Sequence, residues 1–255
     1  MPLTADPVAV RQILQTDRRW AVYALADLAP EYCAAAEWHT AGHGHALLLV
    51  YRGFDPPVLF AHGAAADLAP LLPEICGERA FYLSMRPEAA ALLRNGGYQI
   101  HDEKRVWRMV LDPGRFVPAA NTAERLGPAD YEALTSLHRD GHAAGESPRF
   151  FDAGMLRHGV YYGIREGAAI VAAAGTHVVS EAESAAAIGN VYTLRERRGQ
   201  GFGAQVTAAV TAELLRLGLR TVVLNVAESN AAAIHIYERL GFARYREYLE
   251  GMARH

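Results

Sequence analysis

The pattern of hydrophobic and polar positions in the second half of the chain predicts strands and helices of a mixed α/β fold. A helix is predicted near 130–139, followed by the strand-like segments "GVYYGI", "AAIVAAAGTHVVS" and "AAAIGNVYTL". After a glycine-rich turn, four apolar residues recur at helical spacing before Gly218: Val206, Val210, Leu214 and Leu217. "TVVLNV" predicts a buried strand, and a last helix is predicted from Asn230 to Leu240, where Gly241 stops it.

The two halves of the chain share one layout of elements. "FYLSMRPEAAALLRNGGYQIHDEKRVWRMVL" and "VVLNVAESNAAAIHIYERLGFARYREYLEGMA" each predict a strand, a helix, a glycine stop and a second strand. Between them, Pro113 and Pro118 interrupt regular structure. We therefore predict two tandem domains, 1–115 and 120–255, related by duplication. The first is predicted to be degenerate and structural, because "LFAHGAAADLAPLL" stands where the second has its glycine-rich turn.

Composition and charge limit the function classes. The 255 residues are 51% hydrophobic and 21% charged, and the formal net charge of −3 disfavours nucleic acid as a partner. Lys104 is the only lysine, which argues against a lysine Schiff base or a lysine-dependent phosphate clamp in the second half. The two cysteines, Cys33 and Cys76, are predicted to be buried thiols. With no signal-peptide pattern and no apolar run of roughly 20 residues, a cytoplasmic protein without a membrane partner is expected.

The glycine-rich turn "RRGQGFGAQ" carries the chemistry. Its glycines, at 199, 201 and 203, let the backbone approach an anion closely where a helix begins, which favours a phosphate-bearing ligand. A nucleoside-triphosphate loop would need G-x-x-x-x-G-K-[ST], and no lysine is near. A dinucleotide fingerprint would need G-x-G-x-x-G early in a parallel unit, and the spacing here is G-x-G-x-G. The remaining pattern is R-x-x-G-x-G, starting at Arg198.

Together, "IGNVYTLRERRGQGFG" and "LNVAESNAAAIHIYERLGF" resemble the GNAT superfamily of acyltransferases, in particular its glycine N-acyltransferase-like branch. The resemblance covers roughly residues 120 to 255. It implies an α/β fold of the α+β type, with a mixed, mostly antiparallel central sheet flanked by helices, and acetyl-CoA as co-substrate. It also implies that the main chain of Val191 and Thr193 bonds the pantetheine arm, with Tyr192 as a further cofactor-binding residue. Arg198 and the loop residues after it are implied to hold the diphosphate: Gly199, Gln200, Gly201, Phe202 and Gly203.

Asn230 and Tyr237 lie two helical turns apart and therefore share a helix face. The resemblance implies that the asparagine bonds the pantetheine and that the tyrosine protonates the leaving thiolate. A tyrosine of pKa about 10 can donate to a thiolate whose conjugate acid lies near 8.5. Two structural alternatives stay open, an N-cap role for Asn230 and a core aromatic role for Tyr237.

The general base is not specified by the family pattern. Many members of that superfamily carry a glutamate on the strand before the glycine-rich turn, and that position falls near Ala187 here. Either another element supplies the base or the amine deprotonates through water. His177 is the preferred candidate, because its ordinary pKa of about 6.5 suits the task, and Glu181 and Asp140 are weaker ones.

Other histidines and aromatics suggest a substrate surface and no metal. The resemblance places 138–151 beside the acceptor pocket, so His142, Phe150 and Phe151 are candidate substrate contacts. His138 and His142 lack the glutamate of H-E-x-x-H, and a second group of histidines shows no four-ligand pattern: His39, His43 and His45. No metal is therefore expected.

These observations favour an acyl-CoA-dependent N-acyltransferase that transfers acetyl from acetyl-CoA to a primary amine of a small molecule by direct attack. Backbone N–H groups near Val191 would polarise the thioester carbonyl. The alternative is a catalytically impaired coenzyme A-binding sensor or scaffold module, which the missing acid near Ala187 keeps open. The sequence leaves the oligomeric state open, with a homodimer as one option.

Overall fold

The structure, a computed structural model, describes residues 5–41, 44–118, 122–146, 148 and 150–255. It contains two compact units. The first holds the residues up to 108 together with 226–229 and 245–255, and the second holds 109–225 and 230–244. The predicted boundary near 115–120 lies close to this division, but 245–255 belong to the first unit, where the last strand pairs. The assignment of each half to a domain of common origin stays a prediction.

The first unit consists of short helices around a sheet. Its helices are α1 (Pro7–Gln15), α2 (Val22–Ala26), α3 (Pro30–Cys33), α4 (Ala65–Leu68), α5 (Leu72–Ile75) and α6 (Pro87–Asn95). Its strands, two of which extend beyond the unit, are β1 (Ala36–Ala41), β2 (Ala46–Tyr51), β3 (Val58–His62), β4 (Ala80–Met85), β5 (Gln99–Leu111) and β11 (Phe242–Arg254). β1–β2, β2–β3 and β4–β11 are antiparallel neighbours, whereas β3 and β4 are parallel.

The second unit contains a mixed, mostly antiparallel sheet flanked by helices, as predicted. Its elements are β6 (Glu124–Leu126), α7 (Tyr131–Arg139), α8 (Ala153–His158), β7 (Tyr161–Glu166), β8 (Ala169–Ser180), β9 (Ala185–Thr193), α9 (Phe202–Arg216), β10 (Thr221–Ala227) and α10 (Ala231–Arg239). The strand order is β10-β9-β8-β7-β6, with β9 and β10 parallel and the other neighbours antiparallel. α7 and α8 share a hydrophobic core with Tyr161, Ala173 and Tyr192.

The helices predicted from apolar spacing are confirmed, with one correction to the burial of their residues. Val206, Val210 and Leu214 of α9 are buried, but Leu217 is 39% exposed because it stands at the C-cap, and Leu219 is buried instead.

The prediction of buried thiols is wrong. Both cysteines are exposed and unpaired, since each stands at the end of a four-residue helix and bonds a carbonyl of its own turn: Cys33 and Cys76.

In each unit a run of antiparallel pairings ends in one parallel pairing, after two antiparallel pairings in the first unit and three in the second. The parallel pairing ends at Phe60–Ser84 in the first unit and at Ile188–Leu224 in the second. In each case a helix follows the second strand of the parallel pair, α6 after β4 and α10 after β10, as the internal similarity predicts. Within the described residues, no helix has the length and apolar character that a membrane crossing requires.

Candidate active site

The site begins where β9 leaves β10. Their register runs from Ala185–Thr221 to Ile188–Leu224, and no pairing between these strands is found beyond it in the described chain. Residues 189–193 therefore extend past the region that pairs with β10. Asn190 lies in this segment in a left-handed conformation, with φ of 52°. This segment lies at the carboxyl end of one of two parallel strands, the usual ligand position in open α/β sheets.

The glycine-rich turn follows β9 and leads into α9. Gly199 and Gly201 have φ of +78° and +79°, and a Cβ built on either would meet no atom within 4 Å. Gly201 is also the N-cap of α9, and no side chain caps that helix. The first N–H groups of a helix lack intrahelical partners, and successive left-handed glycines turn backbone N–H groups toward a shared anion. Phe202, the first residue of α9, is half-buried.

Arg198 forms an ion pair beside this turn. Its Nη2 donates to Oε2 of Glu146 at 2.6 Å, and its Nε donates to the carbonyl of Thr193 at 3.3 Å. Its guanidinium also lies 5.5 Å from the Tyr192 ring centroid. The hydrogen bond from Arg198 lowers the pKa of Glu146, so this carboxylate stays charged at neutral pH. Glu146 thus holds the arginine that the sequence assigns to the diphosphate.

Replacing Glu146 by glutamine is expected to tighten acetyl-CoA binding. The change removes both a competitor for Arg198 and a negative charge near the phosphates. The effect should be about two- to fivefold in Kd, the scale of one exposed ion pair, and smaller at high salt. Calorimetric titration at two salt concentrations measures it. Glu166→Gln is the matched control, because Glu166 pairs with the neighbouring Arg197 at 2.8 Å. Equal tightening in both variants would contradict a specific role for Glu146.

Asn230 and Tyr237 lie on α10, as predicted. Asn230 is the N-cap: its Oδ1 accepts the N–H of Ala233 at 3.1 Å, and the residue is exposed. Tyr237 is 7% exposed and packs edge-on against Phe242, with ring centroids 6.2 Å apart. Burial raises the pKa of Tyr237 to about 12. The structure thus contains both structural alternatives, the cap and the packed aromatic, and the chemical roles of the two residues stay predictions.

His177 belongs to a directed chain of hydrogen bonds. Its Nε2 lies 3.0 Å from Oδ1 of Asn190, whose Nδ2 donates to the hydroxyl of Tyr161 at 2.8 Å. The Tyr161 hydroxyl donates in turn to the carbonyl of Thr176 at 3.1 Å. Because Asn190 Oδ1 only accepts, Nε2 of His177 carries a proton, and in the neutral ring Nδ1 is the basic nitrogen.

Two irregularities in the β8–β9 pairing bring His177 and Asn190 together. Between Ala173–Tyr192 and Gly175–Gly189, β9 has one residue more than β8; between Thr176–Ile188 and Val178–Ala187, β8 has the extra residue, His177. Gly189 is needed beneath the histidine, since a Cβ there would lie 2.2 Å from its Nε2. Such bulges re-aim side chains, and here they join two residues that regular pleating would separate.

The other candidate bases lie in different surroundings. Ala187 stands where many members of the resembling family carry a glutamate. It is fully buried and has no acidic group, so it supplies no base. Glu181 is exposed in the turn between β8 and β9. Asp140 accepts the N–H of Arg195 at 3.1 Å and the hydroxyl of Tyr192 at 2.9 Å, and these bonds lower its pKa. Two donors already occupy Asp140, which makes it a positioning group for Tyr192.

The three candidate substrate contacts lie in different surroundings. Phe151 belongs to an aromatic cluster, 5.5 Å from Tyr131 and 4.7 Å from His138 between ring centroids. Phe150 is half-buried and His142 is exposed. Burial lowers the pKa of His138 to about 4, so that histidine is neutral in the folded chain. His142 is thus accessible to solvent, whereas Phe151 packs within the aromatic cluster.

The described ranges contain no group of three or more His, Cys, Asp or Glu placed to hold a metal ion. His43 lies outside the described residues. His39 is buried and its Nε2 lies 3.1 Å from Oε1 of Glu37. His138 is buried in the aromatic cluster, and His142 is not.

Sequence reasoning missed Asn190, Tyr161 and Glu146. A signal for the first was present, because a Gly-Asn pair inside a strand pattern indicates a bulge. Glu146 carried no signal, since its partner Arg198 is distant in the chain and the ion pair depends on tertiary structure.

The second half of the chain is similar in sequence to known acetyltransferases. Residues 130–242 match the model of the acetyltransferase (GNAT) family. A mycothiol acetyltransferase from Geodermatophilus obscurus is 46% identical over 66 residues, which are 25% of this chain and 21% of that protein. The match therefore spans about a fifth of that relative.

Solved structures extend the likeness to nearly the whole chain. A GCN5-related N-acetyltransferase from Kribbella flavida has a TM-score of 0.63, 19% identity, and coverage of 93% of this chain and 94% of its own. A tandem GNAT protein from the clavulanic acid biosynthesis pathway has a TM-score of 0.56, 17% identity, and coverage of 98% and 96%. At these identities the likeness concerns the fold.

Proposed function

We propose that this protein is an N-acetyltransferase that moves an acetyl group from acetyl-CoA to a primary amine of a small molecule. The observation that carries the proposal is the uncapped start of α9, where Gly199 and Gly201 adopt left-handed conformations beside the diverging strand β9. The family match covers all the residues to which a role is assigned. The tandem duplication and the glycine N-acyltransferase-like branch remain predictions from the sequence.

The residues of the cradle fit coenzyme A. Two open left-handed glycines and the free helix start suit the diphosphate, with Arg198 as the cationic partner. Val191 and Thr193 offer main-chain groups to the pantetheine from the strand that has left β10. Bound acetyl-CoA would supply an activated thioester for the amine to attack.

Proton movements are assigned to His177 and Tyr237. Nδ1 of His177 is the atom that would accept a proton from the amine, because Asn190 fixes the proton on Nε2. Tyr237 would donate its hydroxyl proton to the leaving sulfur. Its raised pKa keeps that proton in place at neutral pH, and burial excludes competing water. The amides near Val191 would polarise the carbonyl.

The acceptor side is formed by the segment after α7. His142 is exposed, and Phe150 is half-buried next to the aromatic cluster of Phe151. We assign these three residues to acceptor binding. An amine carrying an apolar group suits this surface better than a highly charged one, because aromatic rings cover part of it.

Acetyl transfer to a panel of small primary amines, measured by thiol release, tests the proposal. Wild type is expected to turn over at least one amine, and His177→Gln to lower kcat/KM at pH 7 about 100-fold, the typical contribution of a positioned base. The low-pH limb of the profile should also disappear in His177→Gln. Glutamine can still donate to Asn190, so the strand geometry is retained.

His158→Gln is the matched control, because His158 is exposed at the end of α8. An unchanged rate and pH profile in His177→Gln would move the base to water or to another residue. Acetyl-CoA binding without transfer to any amine would favour the sensor or scaffold alternative.

A further inference from the structure

The first unit contains a cavity lined by residues to which no role in acetyl transfer is assigned. Its volume is about 270 Å³, somewhat below the roughly 300–1,000 Å³ of typical small-molecule pockets. Its polar lining comes from the residues after α1, the residue before β2, the ends of β3 and β4, and β11: Thr16, Asp17, His45, His62, Arg86 and Arg246. We call it the His62 cavity.

The His62 cavity opens where two parallel strands diverge. The last registered pair of β3 and β4 is Phe60–Ser84, and His62 and Arg86 each stand two residues farther along. The carboxyl ends of parallel strands are where ligands usually bind in open sheets. The first unit thus retains a cleft at the corresponding place, although it has no glycine-rich cradle.

The charge in the cavity is not balanced. Arg246 donates to Oδ2 of Asp17 from Nε at 3.0 Å and from Nη2 at 2.9 Å. Arg86 is partly buried and donates to the carbonyl of Gly63, and within the described chain no carboxylate lies at ion-pair distance from it. Burial chiefly lowers the pKa of His62, so its ring is neutral. The cavity therefore carries one positive charge in excess.

His62 is 4% exposed and has one unsatisfied nitrogen. Its Nε2 lies 2.9 Å from Oγ1 of Thr16, whose own proton goes to the carbonyl of Ile13 at 2.7 Å. Nε2 must therefore be the protonated nitrogen, and Nδ1 is left as an acceptor. Nδ1 is buried and has no partner among the residues that the structure describes. A buried acceptor without a donor is unfavourable, and a ligand can supply that donor.

We propose that the His62 cavity binds a small hydroxycarboxylate anion, with the carboxylate at Arg86 and the hydroxyl donating to Nδ1 of His62. A guanidinium matches a carboxylate in a two-point hydrogen-bond geometry. One negative charge balances the excess positive charge, and the volume restricts the ligand to a few carbon atoms. This site is independent of acetyl-CoA and of the acetyl transfer proposed above.

Calorimetric titration of the full chain with glycolate, without acetyl-CoA, tests this inference. Glycolate is expected to bind with a Kd below about 1 mM, and acetate, which lacks the hydroxyl, at least about tenfold more weakly. Arg86→Gln should weaken glycolate binding at least about tenfold, while its amide can still donate to Gly63. Arg105→Gln is the matched control, since Arg105 is 62% exposed in the same unit and pairs with Glu247.

A second measurement avoids reliance on a variant that fails to fold. In the wild-type chain, the ¹⁵N resonance of His62 Nδ1 should shift on glycolate addition as that nitrogen gains a donor, and acetate should shift it less. No glycolate binding by the folded wild type, tighter binding of inorganic phosphate, an equal loss in Arg105→Gln, or an unmoved Nδ1 resonance would overturn the proposal. Glycolate binding should also persist in a chain whose acetyl-CoA cradle is blocked.

Discussion

Replacing Gly201 by glutamate is expected to reduce acetyl-CoA affinity by at least about 100-fold, which is roughly 2.7 kcal/mol. Two physical effects contribute. The side chain would project into open space that the cradle keeps clear for the anion, because φ is +79° and nothing lies within 4 Å. Its carboxylate would also stand at the start of α9, where it would repel the phosphates and occupy the same backbone donors. Calorimetric titration with acetyl-CoA measures the loss.

Gly218→Glu is the matched control for this change. Gly218 has φ of +79°, open space around a built Cβ, and a position just beyond the other end of the same helix. Both variants should therefore lose roughly 1–2 kcal/mol of folding stability from left-handed strain, with similar shifts in Tm. Only Gly201→Glu should lose the cofactor. Retained micromolar binding in Gly201→Glu, or an equal loss in Gly218→Glu, would contradict the cradle.

Replacing Tyr237 by phenylalanine is expected to lower kcat about 100-fold and to leave the acetyl-CoA Kd within about threefold. The hydroxyl is the only group removed, and the structure gives it no hydrogen bond within the described residues, so stability should change by less than about 1 kcal/mol. Steady-state kinetics with the best amine, together with a binding titration, separate the two effects.

The pH dependence supplies a second test of the tyrosine. With a pKa of about 12, the protonated donor form of Tyr237 is present at neutral pH and is lost only as pH rises toward that value. No fall in wild-type kcat from this group is therefore expected below about pH 11. Tyr162→Phe is a suitable control, since Tyr162 lies on β7 and packs against Arg125. A normal kcat in Tyr237→Phe would assign the residue to packing alone.

The elements around the site could be predicted from the sequence because local signals specify them. Apolar spacing and terminal glycines defined α9 and α10. The glycine pattern indicated a turn at the start of α9, where the structure has Gly199 and Gly201 in left-handed conformations. Asn230 could be recognised as a cap from its position alone. Each of these features depends on residues a few positions apart.

The arrangement of polar groups could not be predicted, because it depends on register and distant contacts. A one-residue bulge decides which face a side chain takes, so the pairing of His177 with Asn190 follows from two bulges that spacing does not reveal. The thiols of Cys33 and Cys76 were wrongly predicted as buried, since composition describes averages and both stand on exposed helix ends. The chemical roles of Tyr237 and His177 stay predictions until kinetics test them.

The pairing of β4 with the end of β11 affects how the chain folds during synthesis. Met85 pairs with Leu249 and Ala80 with Arg254, so one edge of β4 stays unpaired until β11 has been made. At about 5–20 residues per second, roughly 160 further residues take on the order of ten to thirty seconds to appear. An unpaired strand edge is a template for association with other chains. Until β11 has been made, the nascent first unit therefore exposes a strand edge at which it can associate with other chains.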